Sequence, residues 1–181
     1  MRPFKQGHLD RCCAIYSVIN ALKLLNLDCN RAIAQHMYDF IVERLSRDDE
    51  LFGVLKEGAD HTVLSKIFEY TQAYIKENYN ADLIVERPFY NYKGSFEDLT
   101  VLMMRYIVFG SSVLVRVKCS SFDHYSVVED VSADKISFFD SVDMTSIKLK
   151  QISHRKGIKK HWLMPRNSYV MTVRECCKPQ L

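Results

Sequence analysis

The sequence predicts an α+β protein, with helices over about the first 109 residues, a mostly antiparallel sheet after Gly110 and a crevice where the two parts meet. Three observations carry this expectation. Long segments with apolar residues at three- and four-residue spacing fill the first part. Short β-branched and aromatic runs separated by turn residues fill the second. At 181 residues and 48% hydrophobic content, the chain can bury one sizeable core and is short for two. The expected organisation is a single domain over 1–181, with a helical lobe at about 1–109 and a β lobe at about 110–181.

In chain order, Asp10 is a plausible N-cap for CCAIYSVINALKLLNL, Cys12 to Leu27, which is apolar on nearly every face. Such a helix belongs in the centre of a fold. RAIAQHMYDFIVERLSR (Arg31 to Arg47) and HTVLSKIFEYTQAYIKENY (His61 to Tyr79) are amphipathic helices, and FGVLKEGAD between them is expected to be loop. His61 then stands at a helix start. ADLIVERPFYNY starts as a strand ended by Pro88, and Ser95 caps a helix running to Phe109. Beyond Gly110, SVLVRVKC, HYSVVEDV and KISFFDS predict three strands joined by the tight turns SSFD and SAD. SIKLKQI and SYVMTV are the expected fourth and fifth strands, with Trp162, the sole tryptophan, packing the last strands together.

Composition narrows the function. No stretch approaches the length of a membrane span, and MRPFKQGHLDR lacks the apolar core of a signal peptide. The expected location is therefore cytoplasmic, or a host cell if the chain is delivered as an effector by a signal not visible here. The six cysteines have the apolar, helical context of reduced thiols rather than of a disulfide framework. His8, Cys12 and Cys13 lie close together, but no CxxC pair accompanies them and vicinal cysteines suit one tetrahedral ion poorly, so no metal is expected. From Thr145 to Leu181 nine Lys or Arg stand against Glu175 alone, although the whole chain carries only +3. That segment is a solvated basic face or a docking surface for an acidic partner. No aromatics interleave with its charges, which makes nucleic acid an unlikely partner.

Chemistry concentrates in the stretch QGHLDRCCAI. A cysteine at a helix N-terminus meets partial positive charge from unpaired amides, which favours thiolate over thiol. Both Cys12 and Cys13 have that placement. Among the six histidines, His124 alone opens an expected strand directly after a loop, in the opposite half of the chain. Asp140 closes the next expected strand sixteen residues later. Two antiparallel strands with a turn near Ser132 to Asp134 bring these two side chains together. The carboxylate can then accept from one imidazole nitrogen while the other faces a thiol.

The order Gln, Cys, His, Asp, with a cysteine opening a buried helix, resembles the papain-like cysteine peptidase superfamily. Its bacterial branch of double-glycine leader peptidases is the most similar, through Gln6 to Leu27 and about Gly110 to Ser141, with GSSVLVRV, SFDHYSVVEDV and KISFFDS as the matching core. Cys13 departs from the pattern, standing where such families carry Gly or Trp. The resemblance implies a papain-like fold and a Cys-His-Asp triad without a cofactor. Through the spacing from Gln6 it selects Cys12 as nucleophile, with His124 as base and acid, Asp140 as orienting group and Gln6 as oxyanion donor. His8, in the nucleophile loop, and Asp123, beside His124, are the candidate substrate contacts.

The implied activity is cleavage of a peptide or isopeptide amide in a protein or peptide substrate, through a thioester. The absence of a pro-segment before Gln6 suggests an enzyme that is not a zymogen. The same triad also serves acyl transfer, transglutamination and glutamine deamidation. A non-catalytic papain-like binding module, acting through its basic C-terminal segment, is the alternative of another class.

Overall fold

The computed structural model describes residues 1–6, 11–27 and 29–176. Its framework is one sheet of seven strands: β1 (Ala81–Glu86), β2 (Ser112–Lys118), β3 (Asp123–Val131), β4 (Lys135–Phe139), β5 (Ser146–Lys148), β6 (Ile152–Ser153) and β7 (His161–Glu175). They lie in the order β1-β7-β2-β3-β4-β5, every neighbour antiparallel, and β6 pairs parallel with the start of β7. The expected α+β class holds. The strand expected over SIKLKQI is broken in two, because Leu149–Gln151 winds into a single 3₁₀ turn between β5 and β6.

Among the described residues five helices cover this sheet: α1 (Cys13–Leu24), α2 (Arg31–Arg47), α3 (Leu51–Glu57), α4 (His61–Tyr79) and α5 (Phe96–Val108). Side chains of α1, α2 and α4 form one core with Leu83, Leu114, Tyr125, Val127, Tyr169 and Met171 of the sheet. On the other face α5 packs Leu99 and Met103 against Val113, Val115, Val117, Val128 and Leu163. Leu114 thus faces one core and Val113 and Val115 the other. A central strand buried on both faces reads as an unbroken apolar run, as SVLV does.

Local chemistry sets the helix starts. Asn30 accepts from the amides of Ala32 (2.9 Å) and Ile33 (3.1 Å), Asp60 from those of Thr62 and Val63, and Ser95 from that of Asp98. The expected cap Asp10 lies outside the described residues. The segment expected to be loop between Phe52 and Asp60 is instead largely α3. That helix buries only Val54, too little apolar signal for a periodicity, and stops at Gly58, whose φ of 83° favours a residue without Cβ.

Helix α1 is buried along most of its length, as an all-round apolar segment should be. Its polar residues anchor it. Ser17 donates to the carbonyl of Tyr125 on β3 (2.7 Å), while Ser112 of β2 donates to the carbonyl of Ala21 (2.9 Å). The buried Asn20 grips the backbone of Phe4, its Oδ1 accepting from the amide (2.7 Å) and its Nδ2 donating to the carbonyl (3.1 Å). These contacts place the N-terminal segment beside the first turn of α1.

Candidate active site

The site forms where the N-terminus of α1, the segment before it and the starts of β3 and the β4–β5 loop converge. Cys12 precedes α1 and Cys13 is its first residue. Successive helical residues point about 100° apart, so two adjacent cysteines cannot share a direction. Cys12 is 0% exposed and belongs to the hydrophobic core. Cys13 is partly exposed and opens into a cavity of about 670 Å³ that His124 also lines.

The thiol beside the histidine therefore belongs to Cys13. The expectation that placed it at Cys12 is corrected: counting from Gln6 assumed a family loop length, whereas the direction of each side chain is set by how α1 packs on the sheet.

His124 is the second residue of β3. Its Nε2 bonds Oδ1 of Asp140 at 2.7 Å, and its ring also hydrogen-bonds the thiol of Cys13, for which Nδ1 is the remaining nitrogen. Burial pushes the imidazole down in pKa. The Asp140 carboxylate and the Cys13 sulfur outweigh it and raise the value to about 9. Asp140 lies just past β4 and is buried. Its second oxygen accepts from the amides of Val142 (2.7 Å) and Met144 (3.1 Å), which fixes its rotamer. Burial alone would raise the Asp140 pKa, but the bond to His124, the imidazolium charge and the loop amides hold it below the ordinary carboxylate range. The expected neighbourhood of His124 and Asp140 is present, with the β3–β4 turn at Ser132, whose amide donates to the carbonyl of Lys135 (2.9 Å).

Gln6 lines the same cavity, and its amide donates to the carbonyl of Ser141, next to Asp140, at 3.0 Å. Lys5 ties the same segment down by bonding Asp143 and the carbonyl of Asp140. Gln6, Cys13, His124 and Asp140 are thus assembled from four separate stretches of chain. An α1 N-terminus adjoining the cavity supplies backbone amides with partial positive charge.

Asp123, expected to contact substrate, does line the cavity, but its carboxylate is already engaged. Arg116 holds it with two bonds (2.7 and 3.1 Å) and Lys118 adds a third (2.8 Å). Burial opposes its ionisation, and these two cations overcome that effect and keep its pKa low. His8, the other expected contact, lies outside the described residues.

Sequence reasoning missed Arg116, a charged residue within the apolar run SVLVRVKC, and Asn20, an amide within the apolar α1. Both carried a visible signal, since a polar side chain at a buried position requires a partner. It also missed Phe122 and Met144, which give the cavity apolar walls. No helix among the described residues is long and apolar enough to cross a membrane. The sequence matches no protein-family model and no curated protein.

Proposed function

We propose that the chain is a papain-like cysteine hydrolase that cleaves a peptide or isopeptide amide through a thioester at Cys13. The observation that carries this reading is one line of contacts: a thiol on the first turn of a buried helix, an imidazole beside it, and a fixed carboxylate on the far ring nitrogen. This is the arrangement that activates a thiol and keeps a proton ready for a leaving amine.

In the proposed cycle the Cys13 thiolate attacks the amide carbon and a C–S bond forms. The carbonyl oxygen takes the negative charge, facing the amides at the start of α1 and the Gln6 side chain. The His124 imidazolium then passes its proton to the nitrogen, the C–N bond breaks and the amine leaves. Neutral His124 next takes a proton from water, whose oxygen attacks the thioester. Collapse of that second intermediate returns the electron pair to sulfur and releases the acid. Asp140 does not change protonation; it orients the ring and stabilises its positive charge. With Cys13 as nucleophile the following residue is Ala14, small and buried, which lets α1 start close against the sheet.

The test compares the two cysteines. Iodoacetamide near neutral pH, followed by peptide mass spectrometry, is expected to label Cys13 at least about tenfold faster than Cys29 or Cys119. Cys13→Ala is expected to reduce hydrolysis of a peptide library to background, with Cys12→Ala retaining it. Equal labelling of all three thiols, with no loss of activity in Cys13→Ala, would overturn the proposal.

A further inference from the structure

A second cavity, of about 630 Å³, lies alongside β7 and is lined by different residues from the first. It owes its existence to an irregularity in the sheet. Between the pairs Leu114↔Tyr169 and Arg116↔Met164, two steps along β2 are met by five along β7. Pro165, which has no amide proton to give the ladder, falls in this excursion, and Arg166 and Asn167 are pushed out of register with it.

Two guanidiniums approach the same tyrosine here. Arg87 stands 4.4 Å and Arg166 5.0 Å from the ring centre of Tyr90, Arg166 donates to the Tyr90 hydroxyl (2.8 Å), and Arg87 donates to the carbonyl of Arg166 (2.7 Å). Neither forms an ion pair with a carboxylate among the described residues, unlike Arg116 in the first cavity. Asp60 is engaged as the cap of α4, and Glu97 acts on His154 from α5. Holding two like charges together without a counterion is unfavourable, and an anion relieves it.

The remaining walls are aromatic and carry unused polarity. Tyr92 and Trp162 line the cavity with His154, whose ring stacks on Phe96 at an interplanar angle of 3°. Nδ1 of His154 and Nε of Arg87 are buried without a hydrogen-bond partner among the described residues. Burial and the neighbouring Arg155 lower the His154 pKa against the pull of Glu97, which favours the neutral ring, able to read a donor or an acceptor. Lys156 and Lys159, at 5.9 Å from Trp162 and Phe96 respectively, extend the positive rim. The basic segment itself contains Trp162, and the fold adds aromatics from far back in the chain, Tyr90 lying 76 residues before the Arg166 that bonds it.

We propose that this cavity is a nucleotide-binding site, with the phosphate on Arg87 and Arg166 and the base against the aromatic wall. A phosphate monoester satisfies the paired guanidiniums, a flat base uses the rings, and the orphaned nitrogens meet its edge. The site is independent of the thiol chemistry in the first cavity.

Trp162, as the only tryptophan, reports on the site directly. Titration of the full chain with adenosine monophosphate is expected to give a saturable change in its fluorescence, with inorganic phosphate binding at least about tenfold more weakly, the factor that base stacking supplies. Arg166 is exposed, so Arg166→Gln should leave the fold intact by circular dichroism and weaken binding about tenfold or more. Arg87→Gln is the second variant, expected to weaken it likewise. An eight-residue oligouridylate binding more tightly than the mononucleotide assigns the nucleotide to a single strand, whereas equal or weaker binding assigns it to a free nucleotide. No saturable change with any probe, phosphate binding as tightly as the nucleotide, or affinity unaltered in both variants would each overturn the proposal.

Discussion

A difference of one residue decides which thiol meets the histidine. Cys12 and Cys13 share the same local sequence and the same helix terminus, yet one closes the core and the other opens on His124. The sequence made the pair, the histidine and the acid legible, because each residue type sits where an expected element begins or ends. Between the neighbours the helix pattern distinguishes no face, since it is apolar on all sides, and the spacing from Gln6, taken from the family resemblance, pointed to Cys12, the wrong neighbour of His124. The His124–Asp140 pair makes this a pH-sensitive site with a definite sign. Asp140 and Cys13 raise the imidazole from 6.5 to about 9, so its contribution to stability is complete below pH 6.5 and is lost as pH rises through about 9. Asp140, lowered from 3.8, contributes above that value and loses its contribution as pH falls below it. Urea denaturation of Asp140→Ala is therefore expected to show a loss of roughly 3–5 kcal/mol, largest between about pH 4 and 6.5 and shrinking toward pH 9. In the proposed mechanism the proton donor is imidazolium, so amide hydrolysis should fall as pH rises through about 9. In Asp140→Asn that fall should move to lower pH, because burial then acts on the ring with less opposition. A rate limb that stays in place in Asp140→Asn would separate His124 from proton transfer.

At the level of elements, the N-terminal segment is held by α1 rather than by its own structure. Residues 1–6 have no helix or strand, and Phe4 is clamped by Asn20, which shares α1 with Cys13. One rigid helix thus sets both the thiol and the position of Gln6. In the proposed mechanism Asn20 acts as a positioning residue, and its effect should pass through Gln6. Gln6→Ala is expected to reduce kcat by about a hundredfold, the usual scale for one oxyanion donor, with little change in KM. Asn20→Ala should lower kcat by a smaller factor and add almost nothing in the Gln6→Ala background, as measured in a double-mutant cycle. Full additivity would mean that Asn20 supports α1 packing alone. The clamp was not legible, because it joins residues sixteen positions apart through one amide, and no period reveals that. Helices with side-chain caps and two-faced patterns were legible, as α2, α4 and α5 show. Helix α3 was not, since Val54 alone anchors it.

For the whole molecule, the strand order runs against any division of the chain at Gly110. β1 comes from the helical part, yet it pairs with β7 in register from Ala81↔Glu175 to Glu86↔Val170. β7 in turn separates β1 from β2, so the last strand in the sequence lies inside the sheet. Such long-range pairing leaves no local trace: ADLIVE reads as a strand, but nothing in it names a partner ninety residues away. The energetic consequence follows from burial. Tyr169, Val170 and Met171 are buried, Tyr169 and Met171 in the core of α1, α2 and α4 and Val170 in that of α5, so one strand seals both faces. Removing it exposes both cores at once, at about 1.5–3 kcal/mol for each large apolar side chain, which is comparable in sum to the whole stability of a domain this size. A chain ending at Asn167 is thus expected to lack native circular dichroism, and residues 1–109 expressed alone should be unfolded despite their helical sequence. The intact protein should unfold in one calorimetric transition whose van't Hoff and calorimetric enthalpies agree. Two resolved transitions, or a folded 1–109 fragment, would show instead that the helices around α1 hold the Cys13 side of the site without the sheet that carries His124.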